Sequence, residues 1–472
     1  MSEWELVIGL EVHAELATRT KIFCACPNQF GDEPNRNICP VCLGLPGSLP
    51  VLNRQVVELA IRLGEALHCA VQNSVFHRKN YFYPDMPKDY QISQYDQPID
   101  VGGWLELPSG ARIGITRAHM EEDTGKSTHL GGDGRIHGAS ASLVDYNRAG
   151  VPLLEIVSEP DIRSADEARS YVSELRAILV AAGVSDAKME EGSMRVDANV
   201  SVRPRGSDTF GTRCEIKNLN SVRSVGRAIE YEERRQIELL DAGERIRQET
   251  RHWDEGDSRT HTLRVKEDAD DYRYFFEPDL VPVEPSPEWL KSARAALPLL
   301  PAERRVRLAG PAGVSATDNA VVITVERAMD EIALAAIAAG GAPERVLVHI
   351  EHNLAVEGGE QIDPHALAAL TRLEVAGGLT ATQAKVVLAE LVAGGGRGDP
   401  AAVAAARGFE AMDASALEAA VDAAIAADPD AWAKFCAGEQ KAAGALVGAV
   451  MKTTKGQADG KAVTALLQRR RG

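Results

Sequence analysis

The stretch Met194-Arg195-Val196-Asp197-Ala198-Asn199-Val200-Ser201-Val202-Arg203 alternates without a break. Successive side chains of a strand leave opposite faces, so Met194, Val196, Ala198, Val200 and Val202 point one way and Arg195, Asp197, Asn199, Ser201 and Arg203 the other. One face is core and the other densely polar, as in an antiparallel sheet covered on one side. Arg213-Cys214-Glu215-Ile216-Lys217 splits in the same manner, with Arg213, Glu215 and Lys217 together, and is expected as an antiparallel neighbour. The strand from Glu5 to Leu16 places Glu11, His13 and Glu15 on one face. Ser164-Ala165-Asp166-Glu167 has the form of a capping box and opens an amphipathic helix that stops near Gly183, and a second helix is expected from about Ser221 to Asp241.

A chain of 472 residues exceeds the usual single core, so two or three domains are expected. The segment from Glu277 to Pro287 is too rich in proline for a helix or a central strand and reads as an extended linker. Beyond it Ala, Leu and Glu dominate until Gly394-Gly395-Gly396-Arg397-Gly398-Asp399-Pro400 interrupts them. The expectation is an α+β chain: an antiparallel-sheet domain over 1–288, then two all-helical domains over 289–398 and 399–472.

Hydrophobic content of 44% and charged content of 26% are those of a globular protein. No apolar run approaches the roughly 20 residues that span a bilayer. Met1-Ser2-Glu3-Trp4-Glu5 carries no basic segment followed by an apolar one, so the expected location is the cytoplasm. A net charge of -17 argues against broad, sequence-blind nucleic-acid binding, which needs many Lys and Arg against phosphates. Any RNA contact must be local.

Glu11 and His13 suit two ligands reaching for one cation, although a solvated strand face carrying a surface histidine would look the same. His119-Met120-Glu121-Glu122-Asp123 ends the run from Arg112 to Ala118 and reads by itself as an exposed acidic loop. With Asp197 and Glu215 it makes a carboxylate-lined surface that needs cations. Carboxylates with one imidazole favour Mg²⁺ or Mn²⁺ over zinc. Phosphate donors are available in Arg78, Lys79, Arg203, Arg213, Lys217 and Arg273, each of which alone is an ordinary surface charge.

Gly125-Lys126-Ser127-Thr128 invites a P-loop reading, but Met120 stands where that motif requires its first glycine, and the reading fails. Four of the seven cysteines form Cys24-Ala25-Cys26 and Cys39-Pro40-Val41-Cys42. Paired thiolates on two turns close a tetrahedral zinc site, against the blander reading of reduced core cysteines. Such a site leaves no open position and is expected to staple the loop.

Val7 to His13, Arg78 to Asp85, His119 to Asp123, Glu155-Ile156-Val157-Ser158-Glu159-Pro160-Asp161 and Asp271-Tyr272-Arg273-Tyr274 together resemble the B-subunit family of aspartyl/glutamyl-tRNA amidotransferases. The resemblance implies a cradle domain similar to glutamine synthetase that holds ATP and Mg²⁺, followed by helical domains. It implies a ligase that phosphorylates the side-chain carboxylate of mischarged Glu-tRNA(Gln) or Asp-tRNA(Asn) and amidates it with ammonia. The ammonia would come from a partner amidase (glutaminase), and a small third protein would complete a heterotrimer.

Glu11, His13, Glu121, Glu122 and Glu215 match its metal positions. Glu11, His13, Glu122 and Glu215 are expected at the chemistry, and Lys79, Arg203 and Lys217 at the nucleotide. Strand alternation points Glu121 and Glu122 in opposite directions, which leaves open the one that binds metal. Phe276 stands where the family has proline, which bears on the local turn. Lys452, Lys455, Arg469, Arg470 and Arg471 supply positive charge for tRNA or form a solvated basic tail. The competing readings are a non-catalytic tRNA-binding scaffold and a small-molecule ligase acting without tRNA.

Overall fold

The strand read from Met194 lies beside the N-terminal strand in antiparallel register, with Gly9 opposite Asn199 and Glu11 opposite Asp197. This computed structural model describes residues 3–131, 139–265, 272–409, 414–454, 458 and 460–471. Asp271 and Lys455 of the motifs above lie outside them.

In chain order the first unit contains β1 (Trp4–Glu15), α1 (Arg54–Ala66), β2 (Ala70–Val71), β3 (His77–Asn80), β4 (Tyr90–Ser93), β5 (Asp100–Glu106) and β6 (Arg112–Glu122). There follow β7 (Lys126–Leu130), β8 (Ala141–Asp145), β9 (Pro152–Ser158), α2 (Ala165–Ala181), β10 (Met194–Pro204), β11 (Cys214–Leu219) and α3 (Val222–Asp241). The unit ends with β12 (Glu249–Asp254), β13 (Arg259–Val265), β14 (Phe275–Phe276) and α4 (Pro287–Ala295). One sheet runs β13-β12-β11-β10-β1-β9-β6-β4-β3-β14, with β5 on β6 and β2 on β5, while β7 and β8 form a separate hairpin. Among the described residues its pairs are antiparallel except β11 with β12, which run parallel.

Alternation decides what each face does. Ile8, Leu10 and Val12 are wholly buried, as are Ala198 and Val200, and they pack with Ile61 and Leu63 of α1, Tyr171 and Leu175 of α2, and Val225 and Ile229 of α3. A register slip of one residue would turn this apolar set outward, so burial fixes the pairing. The helices begin where the sequence supplies oxygen caps: Asn53 accepts from the Gln55 N–H, Ser164 from Glu167 and Ser221 from Ser224. Glu167 closes its side of the box on the Arg163 N–H, one residue earlier than the motif predicts.

The proline-rich segment is not a free linker. Ser74 and Val283 exchange backbone hydrogen bonds of 2.9 and 2.8 Å, and the buried Glu277 carboxylate accepts from Arg78 Nε at 2.7 Å. Phe276 sits in extended β14 opposite His77, its ring 4.7 Å from the imidazole. Helix α4 then packs Trp289 and Leu290 on the first core. The first compact unit therefore extends to Ala302, beyond the boundary expected at 288. Among the described residues, the second unit, Glu303–Gly472, is helical and holds two cores. One includes Leu308, Val346, Leu367 and Leu388 and reaches Ala404, past the boundary expected at 398; the other gathers Val421, Phe435, Leu446 and Leu467.

Candidate active site

The polar face of the sheet carries a cavity of about 570 Å³. Period-two geometry on neighbouring strands builds its floor: Glu11 and His13 from β1, Glu155 from β9, His119 and Glu121 from β6, Asp197 from β10, and Glu215 and Lys217 from β11. Register sets Glu155 between two imidazoles, opposite His13 on one side and His119 on the other. His13 Nε2 lies 3.3 Å from Glu155 Oε2 and 3.6 Å from Glu121 Oε1. His119 Nε2 lies 3.6 Å from Glu155 Oε2 and 3.8 Å from Glu121 Oε2, and Arg117 reaches Glu155 Oε1 at 3.6 Å. Beside this group, Lys217 Nζ is 2.7 Å from Asp197 and 3.1 Å from Glu215, whose other oxygen accepts from Thr250 Oγ1 at 2.9 Å.

The electrostatics follow from crowding acids in a half-closed space. Burial raises the Glu11 pKa, the charges of Glu155, Glu215 and Asp197 add to it, and the Asn199 amide hydrogen bond works against them. Burial disfavours a charged His13, but the Glu155 hydrogen bond and the Glu155, Glu121 and Asp197 charges prevail and hold it up at about 9. Glu155 goes the other way: burial would raise it, yet His119, His13 and Arg117 keep it well below the usual carboxylate range. At the rim Lys79 Nζ sits 4.7 Å from the Tyr272 ring centroid, and Tyr95 stacks on Tyr274 at 4.2 Å.

His13, Glu121 and Glu155 each present one ligand atom within 4.8 Å of the others. Two carboxylates and an imidazole, with Glu11 and Glu215 in the same cavity, fit a hard divalent cation of the Mg²⁺ or Mn²⁺ kind.

Of the residues expected from sequence, the cavity collects Glu11, His13, Glu121, Glu215, Lys79, Lys217, Arg213 and Asp197. It does not collect Glu122. That carboxylate lies on the face shared with Ala118 and Met120, where it is buried, pairs with Lys88 and accepts the Ile92 N–H at 2.8 Å. Arg203 is also elsewhere, its Nε 2.7 Å from Glu5 Oε2. Arg78 is held by Glu277 and Asp279, and Arg273 lies over the Phe82 ring. Lys126 to Thr128 lie exposed on the β7–β8 hairpin. In the tail the exposed Arg470 pairs with Asp422 at 2.9 Å and the exposed Arg471 lies over the Phe435 ring.

Sequence reasoning does not single out Glu155 as a ligand. Its signal is one acid inside the apolar strand Val151-Pro152-Leu153-Leu154-Glu155-Ile156-Val157, where alternation puts Leu154 and Ile156 in the core and Glu155 on the polar face.

The four cysteines of the loop meet. Cys24, Cys26, Cys39 and Cys42 bring their sulfurs within 4.8 Å of one another, and Cys39 and Cys42 are 3.9 Å apart. Hydrogen bonding from Cys24 together with the charge of Lys21 pulls Cys42 down to about 5, whereas burial pushes Cys26 up to about 11. Lys21 is fully buried and donates to the carbonyls of Asn37 (2.7 Å) and Tyr146 (3.2 Å). Four convergent sulfurs beside a buried cation fit a structural tetrathiolate zinc.

A family model described as the GatB/GatE catalytic domain matches residues 6–291, and one described as the GatB domain matches 346–470. The chain is similar to the B subunit of the aspartyl/glutamyl-tRNA(Asn/Gln) amidotransferase of Frankia casuarinae, at 52% identity over 100% of this chain and 96% of that one. Proteins of the same name from Salinispora arenicola and Brevibacillus brevis are 51% and 46% identical, each over 99% of this chain and over 97% and 99% of their own lengths.

Proposed function

The chain belongs to the family of aspartyl/glutamyl-tRNA(Asn/Gln) amidotransferase B subunits, and from that membership we propose that its acidic cavity is where the tRNA-borne carboxylate is activated by ATP. As a member it serves tRNA amidation, the work of a carbon–nitrogen ligase with glutamine as amido donor.

A carboxylate is a poor electrophile for ammonia. In the proposed reaction an oxygen of the Glu or Asp side chain attacks the γ-phosphorus of ATP and ADP departs. Ammonia then attacks the acyl carbon and the carbon–oxygen bond to phosphate breaks, leaving the amide and inorganic phosphate, which takes up the proton that ammonia gives away. Such chemistry is mainly positioning and charge stabilisation. His13, Glu121 and Glu155, with Glu11 and Glu215, would hold Mg²⁺, which supplies compensation for phosphate charge. Lys79, Lys217 and Arg213 add positive charge around the same space, and the tyrosines at the rim limit water. The proposed partners are an amidase that supplies ammonia and a small third protein of the same assembly; the proposed substrates are Glu-tRNA(Gln), Asp-tRNA(Asn) or both, and the proposed location is the cytoplasm.

The observation that carries this reading is the close group of His13, Glu121 and Glu155 beside Lys79 and Lys217 in one cavity. Replacing Glu11 or His13 by Ala should cut phosphate release dependent on mischarged tRNA by at least about 100-fold. Undiminished release sinks the assignment. A chain that binds tRNA but has no Mg²⁺-dependent affinity for ATP would instead be a scaffold.

A further inference from the structure

A row of rings leads from the edge of the sheet into the cavity. Phe276 of β14 lies 4.7 Å from His77 of β3, centroid to centroid, and His77 meets Tyr95 edge-on at 6.0 Å. Tyr95 stacks on Tyr274 at 4.2 Å with the planes 8° apart, and Tyr274 meets Tyr272 at 6.2 Å. Tyr272 carries the Lys79 ammonium over its face. Tyr95, Tyr274, Tyr272 and Lys79 line the cavity, and His77 and Phe276 lie beyond it at the outer end of the row.

Strand pairing makes this row. His77 stands opposite Ser93 of β4 on one side and opposite Phe276 on the other. Directly opposed residues share a face, so His77, Phe276 and, two residues along β3, Lys79 all look to the cavity side. The backbone that carries the rings is anchored by other groups. The Asn80 amide donates to the carbonyls of Tyr272 at 3.0 Å and Arg273 at 2.9 Å, and Glu277 binds Arg78.

Two of the rings are open: Phe276 is 60% exposed and Tyr95 49%. Neither belongs to the core, and aromatic faces left in water at a cavity mouth offer stacking area to whatever passes. Phe276 adds such a face where the family has proline.

The chemistry sets what must pass. The carboxylate to be activated belongs to an amino acid esterified to the terminal ribose of a tRNA, so it reaches the cavity only if the last nucleotides follow it across the rim. Those nucleotides are unpaired. Unpaired bases are held by stacking on aromatic side chains, without sequence readout, and Lys79 at the inner end is the one permanent charge among the residues of the row. Such a contact also suits a chain with a net charge of -17, because it draws affinity from bases and not from many phosphates.

We propose that Phe276, Tyr95 and Tyr274 form a stacking ramp for the unpaired 3′ nucleotides of the aminoacyl-tRNA and deliver its amino acid to the cavity. This rests on the reading of the cavity as the place of carboxylate activation, and it adds the route by which the RNA end arrives.

The test measures, by filter binding, the affinity of the full-length chain for tRNA(Gln) and tRNA(Asn), each with its 3′ end intact and each shortened by its unpaired terminal nucleotides. Shortening should cost the unaltered chain at least about tenfold, the scale of one lost base–aromatic contact. In the double variant Tyr95→Ala, Phe276→Ala the intact tRNA should bind as weakly as the shortened one, while the shortened one and Mg²⁺·ATP stay within about twofold of their affinities for the unaltered chain. A double variant that still distinguishes the two forms of tRNA overturns the ramp. So does equal weakening of both forms, which would put the rings against the body of the RNA or in the packing of the sheet edge. Weakened Mg²⁺·ATP with unchanged tRNA binding overturns it too, giving the rings to the nucleotide. If the rings hold the 3′ end but Glu11→Ala leaves phosphate release undiminished, the ramp stands and the cavity reading fails.

Discussion

Glu121 and Glu122 are consecutive residues that serve opposite faces of one strand: Glu121 Oε1 lies 3.6 Å from His13 Nε2 in the cavity, and Glu122 is buried against Lys88 on the core side. Glu121→Ala should weaken Mn²⁺ binding, followed by electron paramagnetic resonance, at least about tenfold while the fold persists. Glu122→Ala should leave Mn²⁺ affinity within about twofold and lower stability by roughly 3 kcal/mol, because it strands the Lys88 ammonium in the interior. The reverse pattern would move the cation to the other side of the sheet.

Glu155 stands between His13 and His119 and carries the lowered pKa of the cluster. Glu155→Gln keeps the shape and removes the charge that orients both imidazoles. Phosphate release dependent on mischarged tRNA should fall by about 100-fold. Affinity for the tRNA, measured separately by filter binding, should not move. An equal loss of both would mean that Glu155 only holds the sheet together.

Period two makes much of this legible. Val196 to Val202 announce the core face, and Glu11, His13, Glu215 and Lys217 fall in the cavity because alternation alone puts them on the open side. What alternation within a strand cannot give is the order of strands. Glu155 becomes a neighbour of His13 and His119 only because β9 lies between β1 and β6, a pairing far apart in sequence. Alternation also separates Glu121 from Glu122 without saying which of the two faces the cavity, because nothing local reveals that Lys88 receives Glu122 in the core. Arg203 carries the same ambiguity, since a cation on a polar face reads alike whether it meets phosphate or Glu5. Proline content suggests a linker from Glu277, but the sequence does not show that Ser74 and Val283 bind each other.

The cysteine group predicts about one zinc per chain on metal analysis, the stoichiometry of a closed four-thiolate site. Cys39→Ser should lower that content and raise amide hydrogen exchange over the loop that carries Cys24 to Cys42. Because this group shares none of the proposed Mg²⁺ ligands, Mn²⁺ titration of the cavity should be unchanged in the same variant. Metal-free protein with full protection of the loop would retire the zinc.

Two buried acids in the first unit should shape the acid dependence of stability with opposite signs. Burial would raise Glu232, but hydrogen bonds from Arg235 and Gln236 and the Arg235 and Arg251 charges hold its pKa below the ordinary value. Its contribution is therefore complete above the unfolded carboxylate pKa near about 4.3 and is lost as pH falls through the lower folded value. Asp100 is fully buried, neither of its oxygens has a hydrogen-bond partner among the described residues, and burial with the charge of Glu65 raises its pKa well above normal. Its folded form binds a proton more tightly than the unfolded chain, so stability declines as pH rises from about 3.9 toward the raised value. Glu232→Gln should cost about 3 kcal/mol at pH 7 and progressively less as pH falls below about 4.3. Asp100→Asn should raise the melting temperature of the first unit at pH 8 and give no gain near pH 4, by calorimetry at each pH. A loss of stability at pH 8 in the Asp100 variant would show that a partner satisfies the carboxylate.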